Sequence, residues 1–168
     1  RRRRGLRGSV GVAWTGPGGG SDAANLQLKA QKVEGGYRLT GEKASISMSD
    51  QADIMIVFAR TGAKDTRAKG VSAFLVEMNS AGIEASRYED LGQKCIGRGS
   101  IFFDAVFVPD AHRLGDENRA FSQVMEGFDF SRALIGLQCL AVAEASLSES
   151  WKYVQTREAF GQPISVNQ

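Results

Sequence analysis

The hydrophobic period of this chain changes at Pro109, and that change constrains the fold more than any other feature. Leu26, Leu28 and Ala30 alternate with Gln27, Lys29 and Gln31, the period of a strand with one wet face. "EGGY" (34–37) supplies a tight turn into Tyr37 and Leu39, so the two stretches predict a hairpin. "DIMIVFAR" (53–60) is apolar through its middle and too short for a helix, which predicts a strand buried on both faces. "GVSAFLVE" (70–77), "GIEASRYE" (82–89) and "SIFFDAVFVP" (100–109) come next, with turn-forming residues between them. Short strands at such even spacing predict an antiparallel sandwich or barrel. Beyond Pro109, Leu140, Ala143, Leu147, Trp151 and Val154 recur at steps of three and four, which predicts a helix from about Phe130 to Arg157, stopped by Gly161 and Pro163. The expected class is therefore α+β: an antiparallel β-barrel or sandwich domain followed by long antiparallel helices of an incomplete four-helix bundle. A helix of that length has no helical partner here to cover its stripe, so the sequence reads as a segment of a longer protein whose missing partners lie downstream or in another subunit.

Charge and cysteine content exclude several classes of function. The net charge is +2, but five arginines fall in the first ten residues. Without them 16 basic residues face 19 acidic ones, so the body is mildly acidic and no groove for a nucleic acid is expected. The start, "RRRRGLRG" (1–8), reads as a disordered basic tail or an artefact. No apolar stretch approaches the roughly 20 residues that span a bilayer, so no membrane partner is expected and a soluble intracellular protein is the default. Cys95 and Cys139 stand far apart without metal-ligand spacing and read as free thiols, and His112 is the only histidine, so no metal site is expected.

Three stretches carry a resemblance. "WTGPGGGSDAAN" (14–25) is similar to a Thr-Glu-Pro-x-Ala-Gly-Ser-Asp loop, "LTGEKASISMSDQADIMIVFART" (39–61) to a Leu-x-Gly-x-Lys-x-Trp-Ile-Thr-Asn segment, and "YVQTREAFGQPISVNQ" (153–168) to an Arg-x-x-Phe-Gly-x-Pro-Ile-x-x-x-Gln close. In that order they resemble the acyl-CoA dehydrogenase family, flavoproteins that introduce a double bond between Cα and Cβ of an acyl-CoA thioester. The resemblance implies a middle β-domain over 9–112 and the start of a C-terminal helical domain over 113–168. It also implies FAD as cofactor, an acyl-CoA substrate, an electron-transfer flavoprotein as electron acceptor, a homodimer or homotetramer, and a cytoplasmic or, in a eukaryote, mitochondrial-matrix location.

By the same resemblance, Trp14 and Thr15 lie at the flavin, with Thr15 offering its hydroxyl and amide to the pyrimidine edge. Gly20 and Ser21 lie along the FAD pyrophosphate, and Ser21 also meets the CoA arm. Glycines suit that place because a backbone without Cβ can bring its amides close to an anion. Read from composition alone, the same run is a turn between strands. Ser47 matches a hydroxyl residue at flavin N5 or O4, and Ser45 matches the aromatic residue that shields the ring. Without the resemblance, "ASIS" is a strand with alternating small polar residues. Arg157, Phe160 and Gln168 match residues that reach the FAD of a neighbouring subunit, guanidinium to diphosphate being a good bidentate fit. Arg157 is equally a favourable cation at a helix C-terminus and Phe160 a core plug. Asp129 and Arg132 match the contact to CoA, or form a helical i, i+3 pair.

Several positions depart from the family pattern. Gly16 replaces the glutamate after the threonine, and Gly19 an alanine. Ile96 and Arg98 stand where a serine and a threonine touch the pantetheine, and Ser131 occupies the place where some members carry the catalytic carboxylate. No catalytic residue is therefore expected within this chain, and the base belongs outside it. The alternative reading is a non-catalytic β-sandwich module with a helical dimerisation arm.

Overall fold

The computed structural model describes residues 8–167, so Gln168 and all of the basic start but Gly8 lie outside the described residues. The chain divides into two compact units, the first ending at Gln123 and the second beginning at Val124.

The first unit is built on eight strands: β1 (Val10–Ala13), β2 (Lys29–Val33), β3 (Gly36–Ser47), β4 (Ile54–Arg60), β5 (Val71–Glu77), β6 (Ile83–Ala85), β7 (Arg98–Pro109) and β8 (Arg113–Leu114). They hydrogen-bond in the order β6-β7-β3-β2-β4-β5-β8, with β1 joined to β4, and this path does not close into a barrel. The expected hairpin is β2 and β3, which meet at Val33 and Gly36 around Gly35 in the left-handed region, φ 74°. The pairs β3·β7, β4·β5, β5·β8 and β6·β7 are antiparallel, as expected. By contrast β1 runs parallel to β4, and β2 touches β4 in parallel at Lys29 and Arg60. Alternation specifies which face a residue occupies, not which strand lies beside it, so these pairings had no sequence signal.

The inward residues of the alternating pattern form the core. Leu28, Leu39, Met55, Val57, Phe74, Ile101 and Val106 are each at most 1% exposed, and the rings of Tyr37 and Phe74 meet edge-on at 4.9 Å. In β4, Val57, Phe58, Ala59 and Arg60 are all buried in succession, matching the expectation of burial on both faces. The compact unit extends past the expected boundary at 112/113, because β8 pairs with β5 and Phe121 packs against Trp14 at 5.7 Å.

The strand β3 is interrupted between Lys43 and Ile46, where its register against β7 shifts. Ser45, inside the interruption, takes φ 59°. A bulge of this kind adds a residue to one strand and re-aims the side chains beyond it. Lys43 and Ile46 both point inward although three positions apart, and Ser45 and Ser47 lie towards the surface.

The helix α1 runs Ala120–Thr156, starting ten residues before the expected Phe130 and forming most of the second unit. It is the one α-helix among the described residues. Its apolar surface is wider than the single expected stripe. Leu140, Leu147 and Trp151 are exposed, and so are Ile135, Val142 and Tyr153, which fall on a second face roughly 120° round the axis. The expectation that no stretch is apolar enough for a bilayer is also corrected. By length and composition alone α1 qualifies, with an 18-residue window of mean hydropathy 1.3. The helix stops at Thr156, earlier than Gly161 and Pro163, and a short hairpin succeeds it: β9 (Glu158–Ala159) and β10 (Gln162–Pro163), turning through Phe160 at φ 55° and Gly161 at φ 76°.

Candidate functional site

In the first unit, the opening loop lies along β3. The Ala44 amide donates to the Thr15 carbonyl at 3.0 Å, and the Lys43 ammonium donates to the carbonyl of Trp14. A side chain added at Gly16 would sit 3.4 Å from the Glu42 carbonyl oxygen, so the loop tracks three successive residues of the strand. Thr15, half-buried, is therefore held beside the bulge that carries Ser45 and exposes Ser47. Trp14 differs in kind: its indole is 6% exposed and packs on Phe58 at 4.6 Å, so its side chain forms the wall behind the loop.

Next comes a closed turn rather than a slack run. The Gly19 amide donates to the Gly16 carbonyl at 3.3 Å across Pro17 and Gly18. Gly20 and Ser21 are exposed, and a Cβ at Gly20 would meet nothing within 4 Å, so the backbone there is open to a ligand. Two arginines fix the end of the loop, and sequence reasoning found neither. Arg67 donates to the Asp22 carboxylate at 3.0 Å. Arg60, 9% exposed, donates to four main-chain carbonyls: from Nη2 to Ala24 at 2.6 Å, from Nε to Leu26 at 3.2 Å, and from Nη1 to Arg67 at 3.1 Å and Ala63 at 3.5 Å. Burial, and then the neighbouring charge of Arg67, push the Arg60 guanidinium below its ordinary pKa.

Beyond the bulge, Ser47 is the register partner of Arg98 on β7. The two line a cleft of about 360 Å³ with Asp90, Gly92, Gln93 and Gly97. Arg98 grips Asp90 with two bonds, Nε to Oδ2 at 3.0 Å and Nη2 to Oδ1 at 2.8 Å, and this hydrogen bonding holds the Asp90 carboxyl below its usual range. The Ser45 amide faces the Tyr88 hydroxyl at 3.5 Å, and that hydroxyl lies 2.8 Å from Ser100 Oγ. With Asp90 engaged by Arg98, the end of β3 offers the Ser47 hydroxyl to the cleft. A hydroxyl there suits a polar, uncharged ring edge, and the exposed backbone at Gly20 and Ser21 is of a kind that suits a phosphate.

Lys43 is another group that sequence reasoning missed. It is 0% exposed, its nitrogen reaches a neutral carbonyl, and burial lowers its pKa to about 7. A signal was present: Tyr37, Leu39 and Lys43 share the inward parity of β3.

In the second unit, Asp129 and Arg132 form an exposed i, i+3 pair. Ser131 donates from Oγ to the Phe128 carbonyl at 3.0 Å. Arg157 is exposed, its carbonyl accepting from the Ile164 amide at 2.8 Å, and Phe160 is 99% exposed at the hairpin tip rather than plugging a core. Among the described residues no cluster of histidine, cysteine or carboxylate has the makings of a metal site, and both cysteines are free.

Comparison with known proteins gives two family matches: "Acyl-CoA dehydrogenase, middle domain" over residues 11–106 and "Acyl-CoA dehydrogenase, C-terminal domain" over residues 118–168. An acyl-CoA dehydrogenase of Bacillus subtilis is 40% identical over 157 residues, covering 93% of this chain and 41% of that protein. The crystal structure of a probable acyl-CoA dehydrogenase from Mycobacterium abscessus superposes with a TM-score of 0.91 at 33% identity, covering 96% of this chain and 43% of that one. A structure of PigA with FAD and proline matches at TM-score 0.87 and 29% identity, over 93% of this chain and 41% of its own. The chain thus spans about two fifths of the length of these relatives.

Proposed function

The chain belongs to the acyl-CoA dehydrogenase family, and from that premise we propose that it is the flavin-holding segment of an FAD-dependent acyl-CoA dehydrogenase. The observation that carries the proposal is the 3.0 Å bond from the Ala44 amide to the Thr15 carbonyl, which lays the loop against the strand that bears Ser45 and Ser47. FAD, when bound, supplies the acceptor for the hydride that leaves Cβ of the thioester.

The part of this chain is to bind and orient. Thr15 offers a hydroxyl and an amide to the pyrimidine edge, and Ser47 a hydroxyl to the edge that receives hydride. Preorganised donors of this kind need no rearrangement when charge develops. The amides of Gly20 and Ser21 face the pyrophosphate and the CoA arm, where backbone N–H groups complement negative charge. Ser45, with its small side chain, leaves one face of the ring open. Asp129 and Arg132 serve the CoA portion, while Arg157, Phe160 and Gln168 serve the dinucleotide of a neighbouring subunit in a homodimer or homotetramer. The exposed apolar faces of α1 belong in this reading to helix packing, not to a membrane, since Glu144 and Glu149 would cost about 2.5–3.5 kcal/mol each near a bilayer centre.

Removing the α-proton requires a carboxylate tuned to that task. The hydroxyl of Ser131 cannot supply it and is turned to the Phe128 carbonyl. We therefore assign the base to a part of the protein outside this sequence, and the final electron acceptor to an electron-transfer flavoprotein. The test is colour. The full-length protein purifies yellow, and anaerobic addition of an acyl-CoA bleaches its visible absorbance. A colourless protein that titrates no FAD makes the chain a non-catalytic β module instead.

A further inference from the structure

Of all the buried groups in the β unit, Lys43 is the least explained by folding. Its side chain is completely enclosed, its nitrogen donates to the main-chain carbonyl of Trp14, and no carboxylate pairs with it among the described residues. Enclosing an amine among apolar side chains is costly, and a methionine of similar shape would fill the space without that cost. What the amine adds is a donor at one defined place, the carbonyl next to Thr15. One residue further along β3, the Ala44 amide donates to the Thr15 carbonyl at 3.0 Å. Two consecutive residues of the strand thus fix two consecutive carbonyls of the loop. The peptide unit between Trp14 and Thr15 is the one whose N–H belongs to Thr15, so fixing the Trp14 carbonyl sets the direction of that N–H on the opposite edge of the same planar group.

We infer that Lys43 is a positioning residue for flavin: by holding the Trp14 carbonyl inside the β unit, it turns the Thr15 amide outward to the place where the isoalloxazine edge binds. The inference rests on the proposed function above, because it needs FAD at Thr15. The bulge beside it supports the assignment. Lys43 is the last residue of β3 before the register shift, and Ser45 and Ser47 come directly after it on the outer side. One short stretch of strand therefore anchors the loop from within and presents hydroxyls without.

The test uses the full-length protein, stripped of FAD and titrated with it. In Lys43→Met the dissociation constant of FAD rises at least tenfold and the visible absorption maximum moves, while the circular dichroism and melting temperature of the apoprotein are not lowered. Lys43→Gln, which keeps a shorter N–H donor, recovers part of the affinity. A Lys43→Met protein with wild-type affinity and spectrum overturns the inference, whereas a wild type that takes up no FAD overturns the proposed function instead. Should Lys43→Met not fold, the wild type answers directly. With 15N-labelled lysine, the Lys43 side-chain resonance shifts as FAD is added to the apoprotein, and a resonance that stays in place overturns the inference.

Discussion

The β unit and the helix α1 treat the same kinds of side chain in opposite ways. In the β unit even a lysine and an arginine are taken inside, Lys43 at 0% and Arg60 at 9% exposure, and each finds carbonyl acceptors there. On α1, Phe130, Leu147 and Trp151 remain about 70% exposed. One unit has more burial than its apolar residues require, and the other has less. The contrast separates two kinds of element: the β unit is held by its own core, whereas the helix leaves its apolar faces exposed among the described residues.

The contrast yields measurable differences within this chain. Phe74→Ala, at a fully buried ring, should cost the β unit about 3–5 kcal/mol in denaturant unfolding. A loss below about 1 kcal/mol would mean that the core does not hold this unit. Lys43→Met tests the cost of the enclosed amine through pH. With a folded pKa near 7 against 10.5 when unfolded, the unfolded chain binds the extra proton between those values, so stability rises with pH across that window. The variant should flatten that rise, which is on the order of a few kcal/mol, when unfolding is compared at pH 7 and pH 10. Arg60→Met leaves the carbonyls of Ala24 and Leu26 without their donor and should cost roughly 1.5–3 kcal/mol, with faster proteolysis near Asp22 as a local readout. Trp151→Ala should change the stability of this chain by no more than about 0.5 kcal/mol. In the full-length assembly the same change should be strongly destabilising, and equal effects in both settings would show that nothing covers the helix.

Much of this architecture was legible in the alternation alone. The strands expected over 53–60, 70–77 and 100–109 are β4, β5 and β7 to within two residues. Pairing was less legible, because the parallel contact of β1 with β4 joins residues more than forty apart and leaves no local trace. The helix start was placed late because Ser122, Gln123, Glu126 and Gly127 dilute the apolar pattern of its first turns. Of the site, Thr15 and Ser47 were reached only through a resemblance, and the structure adds the contact that holds Thr15 beside the bulge. Lys43 and Arg60 stayed hidden because a long cationic side chain ordinarily reaches water, and only parity along the strand says otherwise.

The register shift in β3 also has a genetic consequence. Because Ser45 is the surplus residue, everything after it is out of step with everything before it, and the strand tolerates this only because the surplus is there. A three-nucleotide deletion removing that codon would restore strict alternation with Lys43 and Ile46 still inward and Ser47 still outward, so the strand would lose its bulge without exchanging its faces. Loss of that one small serine would thus disturb the strand less than its replacement by a β-branched residue, which φ 59° disfavours.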